Sequence, residues 1–120
     1  MTEQDGENNR QYLRIPILLQ SKVTISGDPS EESMEMKNIS FGGAFLRYEE
    51  PFPPQTLLDM RFLLPGNENP IEATGFVCWN TKENGHSGMG IQFIVISKND
   101  QELLKKFIRR FTGELTVNVR

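Results

Sequence analysis

Arg10 and Arg14 stand four residues apart, ahead of Pro16. A proline disfavours the helical region for the residue before it, so the pair is read on an extended lead-in, where even spacing turns both side chains to one side. Two guanidinium forks so placed suit bidentate hydrogen bonds to phosphate oxygens or to O6 and N7 of guanine, and stacking on purine faces. By themselves, two arginines at this spacing are most often solvated charges. The second group is Asn38-Ile39-Ser40-Phe41-Gly42-Gly43. Asn38 offers a donor and an acceptor to a base edge, and Ser40 a hydroxyl to a phosphate or an exocyclic group. Glycine allows positive φ or a close backbone approach. The bland alternative is an Asx turn in which glycine reverses the chain.

Other residues with chemistry in reach are few. Cys78 lies between Val77 and Trp79, where a small buried residue is expected, and His86 lies in a glycine-rich turn, where a surface position is expected. They form no nucleophile-and-base pattern. There is no phosphate-binding glycine loop, dinucleotide fingerprint or metal-ligand spacing, so neither catalysis nor a metal or other cofactor is expected. One cysteine excludes an internal disulfide and fits a reducing compartment, which favours the cytoplasm. The longest apolar run, Ile15 to Leu19, is interrupted by Pro16 and is far short of a membrane span, so membrane insertion is not expected.

Lys and Arg total 13 against 16 for Asp and Glu, and three of the acids, Glu3, Asp5 and Glu7, lie in the first nine residues. The balance without them is neutral. A chain with no basic excess is a poor binder of a nucleic acid polymer, whose affinity rests on neutralising many phosphates. A small anion remains within reach of a few well-placed guanidinium groups.

The elements that must position these residues are mostly strands. Residues 1–9 hold no large apolar side chain after Met1 and are read as a flexible acidic arm. Alternation and turn residues then mark six short strands: Pro16 to Ser26, a stretch around Met34 and Met36, Ala44 to Tyr48, Thr56 to Leu64, Ile71 to Asn80, and Met89 to Ile96. Gly27 to Ser30 and Asn84-Gly85 supply hairpin turns. Six strands so spaced predict a mainly β domain, a closed barrel or a sandwich. One helix follows, capped by Asn99 or Ser97, with Leu103, Leu104, Phe107, Ile108 and Phe111 on its apolar face and a stop at Gly113. Its other face carries Lys105, Lys106, Arg109 and Arg110, which read first as a solvated face. Leu115, Val117 and Val119 alternate with polar residues, so 114–120 reads as a tail that adds a strand or pairs with another chain.

Arg10-x-x-x-Arg14 followed by Asn38-x-Ser40-x-x-Gly43 resembles the two motifs of the PilZ family, the bacterial receptor domain for cyclic di-GMP. The resemblance extends through Gly43-Ala44-Phe45-Leu46, Gly75-Phe76-Val77-Cys78-Trp79, Gly88-Met89-Gly90-Ile91-Gln92-Phe93 and the closing amphipathic helix, from about Arg10 to Phe111. It implies a six-stranded antiparallel β-barrel of split-barrel type with a C-terminal helix, occupying 10–113. Arg10 and Arg14 would engage guanine edges, stack on a base and reach the phosphates, with Asn38, Ser40 and Gly43 as the opposite wall. An asparagine at position 38, where the family also uses aspartate, offers no charge to the guanine N1 and N2 donors. Gly42 eases backbone approach or serves turn geometry. Trp79 either packs near the ligand or belongs to the core.

The function implied is a cyclic di-GMP receptor, not an enzyme, whose arginine arm changes conformation on binding. It would signal to an effector protein that the residues do not identify, in motility, biofilm formation or a related process. A monomer or weak homodimer is expected. The alternative is a PilZ-like adaptor between proteins that binds no nucleotide; such members typically lack the arginines that this chain keeps.

Overall fold

Alternating apolar and polar residues build the six strands, because side chains on a strand point alternately to its two faces. The computed structural model describes residues 14–83 and 85–119, with side chains through residue 110. The strands are β1 (Ile15–Ile25), β2 (Glu31–Ile39), β3 (Gly43–Arg47), β4 (Leu57–Phe62), β5 (Ile71–Thr81) and β6 (Gly88–Ile96), followed by helix α1 (Lys98–Val119). They close into an antiparallel barrel in the order β1-β2-β3-β6-β5-β4, with β1 pairing to both β2 and β4. Of the two architectures that strand spacing allowed, this is the barrel.

The interior takes one side of each strand. Val23, Met34, Met36, Leu46, Leu58, Met60, Phe62, Ile71, Val77 and Met89 are buried, and Leu104 and Phe107 of α1 join the same cluster. Four of the five methionines line it, and their unbranched side chains fill the irregular space of a small barrel. β2 begins at Glu31, earlier than its apolar residues mark, because Glu31 and Glu32 pair with Thr24 and Val23 of β1. Backbone pairing here outruns the hydrophobic pattern. The preceding turn is held by Asp28, whose amide donates to the Ile25 carbonyl (2.8 Å) and whose carboxylate accepts from the Ser30 amide (3.0 Å).

Ser97 is the helix cap: its hydroxyl accepts from the Asp100 amide (3.0 Å) and its carbonyl from the Gln101 amide (2.8 Å). Asp100 in turn accepts from the Glu72 amide at 3.0 Å, tying the first turn of α1 to the start of β5. The helix does not stop at Gly113 but continues to Val119, so the tail expected as an added strand is helical. Two physical reasons account for this. A glycine inside a helix costs only about 1 kcal/mol, and a closed barrel presents no free edge on which a seventh strand can pair.

Two serines are buried, and they differ. Ser21 points into the barrel between Met34 and Phe62, its register partners on β2 and β4, and its hydroxyl meets no hydrogen-bond partner among the described residues. An unsatisfied buried hydroxyl is destabilising. Replacing it as Ser21→Ala raises the free energy of unfolding by about 1 kcal/mol, read from urea denaturation midpoints. An unchanged or lower midpoint would show that the hydroxyl is satisfied in solution.

Candidate functional site

The register between β1 and β2 determines which motif residues meet. Ile15 pairs with Ile39 and Pro16 with Asn38, so Arg14, the residue before β1, stands exposed at the level of Ser40. The two motifs, 24 positions apart in sequence at Arg14 and Asn38, thus share one end of one strand pair. Arg10 lies outside the described residues.

The loop from Ser40 to Gly43 is held by its own hydrogen bonds. The Ser40 hydroxyl oxygen accepts from the amides of Gly42 and Gly43, each at 3.2 Å, while the Ser40 amide donates to the Gly43 carbonyl at 2.8 Å. The Gly42 carbonyl accepts from the Phe93 amide of β6 at 2.9 Å, which fastens the loop to the barrel wall. Ser40 is therefore the keystone of the turn. The described glycines at positive φ are Gly27, Gly66 and Gly85, so Gly43 answers to a different demand. A Cβ built on Gly43 would overlap the Ile91 carbonyl, and only a residue without a side chain lets β3 approach β6 this closely.

Asn38 opens a row that runs across the outer surface. It pairs with Phe45, Phe45 with Gly90, and Gly90 with Trp79, while the adjacent residues Ile39, Ala44, Ile91 and Val77 are buried inside. Phe45 and Trp79 stack over the intervening glycine with ring centroids 5.6 Å apart and planes at 28°. A Cβ on Gly90 would overlap the indole and one on Gly88 would overlap the Phe45 ring, so these two glycines make the seat for the aromatic pair.

Trp79 is thus on the outer face, 37% exposed, and not in the core. Strict alternation from buried Val77 would turn it inward. A register shift between Val77 and Trp79 inserts one residue against β6, and the inversion brings the indole out. The same segment exposes Cys78, expected buried, whose Sγ lies 3.8 Å from the Gln92 side-chain oxygen. Phe45 and its glycine seat were not identified as site elements from sequence; the signal was their cross-strand register, which needs the fold. The contact of Phe41 with α1 was equally hidden: the Lys105 ammonium stands 5.9 Å from the centre of its ring.

His86 is exposed in the β5–β6 hairpin, its amide bonded to the Glu83 carbonyl at 2.8 Å. The Tyr48 phenol, following β3, titrates above 10.0 because burial, and then the carboxylates of Glu32 and Glu50, disfavour the phenolate. It carries no charge at neutral pH. Among the described residues no cluster of three His, Cys, Asp or Glu side chains could hold a metal ion, and no helix is long and apolar enough to cross a membrane. A separate open depression, lined by Lys22, Asp59, Arg61, Glu72 and Thr74 among others, contains no motif residue.

A six-stranded barrel whose β2–β3 loop carries an Asn-x-Ser-x-x-Gly turn beside an arginine lead-in defines a small class of domains. The family described as the PilZ domain matches residues 8–110, most of the chain, and the protein belongs to that family. Comparison with curated protein sequences finds no match. Among solved structures, the chain is similar to the Bacillus subtilis inhibitor of motility MotI/DgrA, with 25% identity and a TM-score of 0.71 over 87% of this chain and 51% of that one. It also resembles the PilZ domain of YcgR from Escherichia coli, solved with cyclic di-GMP, at 12% identity and a TM-score of 0.61 over 92% of this chain and 96% of that domain. A third similar structure is PlzA of Borreliella burgdorferi in complex with cyclic di-GMP, at 19% identity and a TM-score of 0.55 over 87% of this chain and 43% of that one. The chain therefore spans about half the length of MotI/DgrA and less of PlzA.

The loop geometry makes a prediction opposite in sign to that for Ser21. Ser40→Ala strips two loop amides of their acceptor and lowers the free energy of unfolding by about 1–3 kcal/mol. Gly43→Ala forces β3 away from β6 and costs a similar amount through overpacking. Urea denaturation of both variants checks this, and wild-type stability in either would show that the loop does not depend on these contacts.

Proposed function

We propose that this protein is a receptor for cyclic di-GMP. The observation that carries the reading is the register that sets Arg14 level with the Ser40 turn and two residues from the Pro16–Asn38 pair. The ligand is a dianion with two guanine bases, and the site offers what each part requires. Arg14, with Arg10 on the lead-in, supplies guanidinium forks for phosphate oxygens and for guanine O6 and N7. Asn38, half-buried at the start of the outer row, presents an amide to a base edge. Ser40 and Gly43 act mainly by holding the loop in shape, since the serine oxygen is already committed to two amides. Gly42 has its carbonyl on β6 and contributes through that anchoring. Trp79 and Phe45 form an aromatic surface continuing from Asn38, on which a purine can stack.

Binding then draws the arginine lead-in onto the barrel. Fixing each backbone residue costs roughly 1–2 kcal/mol of conformational entropy, so several charge-assisted bonds must form together. The altered surface signals to an effector protein, as befits a receptor module, and we place the protein in the cytoplasm. Similar structures include an inhibitor of motility and MrkH, described as a cyclic di-GMP-dependent transcription regulatory factor, so the fold serves more than one output. Motility is the output we favour, on the likeness to MotI/DgrA.

Calorimetric titration with cyclic di-GMP, with GMP and cyclic di-AMP as controls, tests the reading. Selective binding is expected, and Arg14→Ala is expected to weaken it by about 10- to 100-fold, the loss of one bidentate charged contact, with an unchanged melting temperature of the free protein. The sole tryptophan reports independently: emission of half-exposed Trp79 changes on ligand addition to the wild type and not to Arg14→Ala. Neither heat nor an emission change at saturating nucleotide would leave the non-binding adaptor as the account of this chain.

A further inference from the structure

Gln92 stands in the angle between the motif loop and the aromatic pair, and the site described above gives it no part. On β6 it follows Gly90 by two residues, so it shares the outer face with the glycine that seats Phe45 and Trp79, ~6.6 Å further along the strand. Its register partners are Gly43 of β3 and Phe76 of β5. Gly43 has no side chain to cover it, and the following amide, that of Phe93, is the one that holds the Gly42 carbonyl. Gln92 is exposed, whereas Ile91 before it is buried. A polar side chain thus rises beside the Ser40 turn, at the edge of a surface on which a purine can stack.

Which end of its amide faces outward decides what it can read. The oxygen accepts and the nitrogen donates. A glutamine amide that uses both suits adenine, accepting from N6 and donating to N7, whereas guanine presents acceptors at both O6 and N7. Here the Cys78 thiol donates to the Gln92 oxygen, with Sγ and Oε1 3.8 Å apart. Cys78 reaches it because it is the residue that the register shift between Val77 and Trp79 inserts against β6. With the oxygen so engaged, the nitrogen is the end left to a base, and a donor there matches guanine O6 but opposes the N6 donor of adenine.

We propose that Gln92 reads a base at this site, donating from Nε2 to O6 or N7 of a guanine stacked on the Phe45 and Trp79 pair, and that Cys78 is a positioning residue that orients the amide for guanine. The inference rests on the receptor reading above and adds to it the residue that distinguishes guanine from adenine. A thiol is a weak donor, so it biases the amide and does not lock it.

Calorimetric titration of the full chain with cyclic di-GMP tests this through four variants and one pair. Gln92→Leu is expected to weaken binding by about 3- to 10-fold, the loss of one neutral hydrogen bond, with an unchanged melting temperature. Gln92→Glu, which can only accept, is expected to weaken it further. Cys78→Ala is expected to cost about two- to threefold, as an amide without its bias spends part of its time reversed, and Cys78→Ser, which keeps a donor, to bind as the wild type does. Combined with Gln92→Leu, Cys78→Ala is expected to have no further effect, because the cysteine acts through the glutamine. Binding by Gln92→Leu or Gln92→Glu within twofold of the wild type overturns the base-reading role. Equal losses from Cys78→Ala with and without Gln92 overturn the positioning role. Either result leaves the receptor reading standing, since it requires only that the wild type bind; a wild type that does not bind overturns both.

Discussion

The sharing of β1 between β2 and β4 is the constraint on which the rest of the molecule depends. A strand of 11 residues that pairs on both edges closes the barrel, and closure leaves no sheet edge to be covered. It also fixes the end of β1 against the end of β2, so that Arg14 arrives beside the Asn38–Gly43 turn with no contact of its own needed to hold it there. A slip of one residue between these strands would turn Asn38 inward and Ile39 out. The buried row of Ile15, Ile39, Ala44, Ile91 and Val77 opposes that slip through its apolar burial. The core thereby sets the geometry of the polar site outside it.

Irregularities in the strands do the finer positioning. β1 shifts register between Pro16 and Leu19 and β2 between Met36 and Asn38, both next to the motif loop, and β5 shifts between Val77 and Trp79 at the far end of the same outer row. Each adds local twist and re-aims side chains. Gly88 and Gly90 complete the arrangement by giving up side chains beneath Phe45 and Trp79. Stacked rings over glycine recover the packing that those positions would otherwise lose.

Sequence and structure agree where local rules suffice. Strand alternation, the turn at Gly27 to Ser30 and the amphipathic helix all follow from side-chain periodicity and turn chemistry, and the motif spacing led to the family. The disagreements arise where one residue changes parity or a distant strand decides. Cys78 was read as buried because its neighbours are apolar, and Trp79 as either near a ligand or in the core; a single residue inserted against β6 decides both, and it is visible only in the register. The helix end was set at Gly113 on a local signal too weak to stop the helix, since one interior glycine costs only about 1 kcal/mol. Ser40 was read as a ligand group because a hydroxyl can be one; that its oxygen already serves two amides depends on the loop conformation, which pattern alone does not specify. The role of Gly43 was legible as a need for glycine, although the reason is the Ile91 carbonyl and not a positive φ.

A net charge of −3 is compatible with an anionic ligand because charges act locally in salt water. At physiological ionic strength the screening length is about 8 Å, so acids elsewhere on the domain, such as Asp59 and Glu72 at the separate depression, would weigh little on an anion at the proposed Arg14 site. A polymer samples the average charge of the surface along its length and gains little from this one. A compact dianion samples one site.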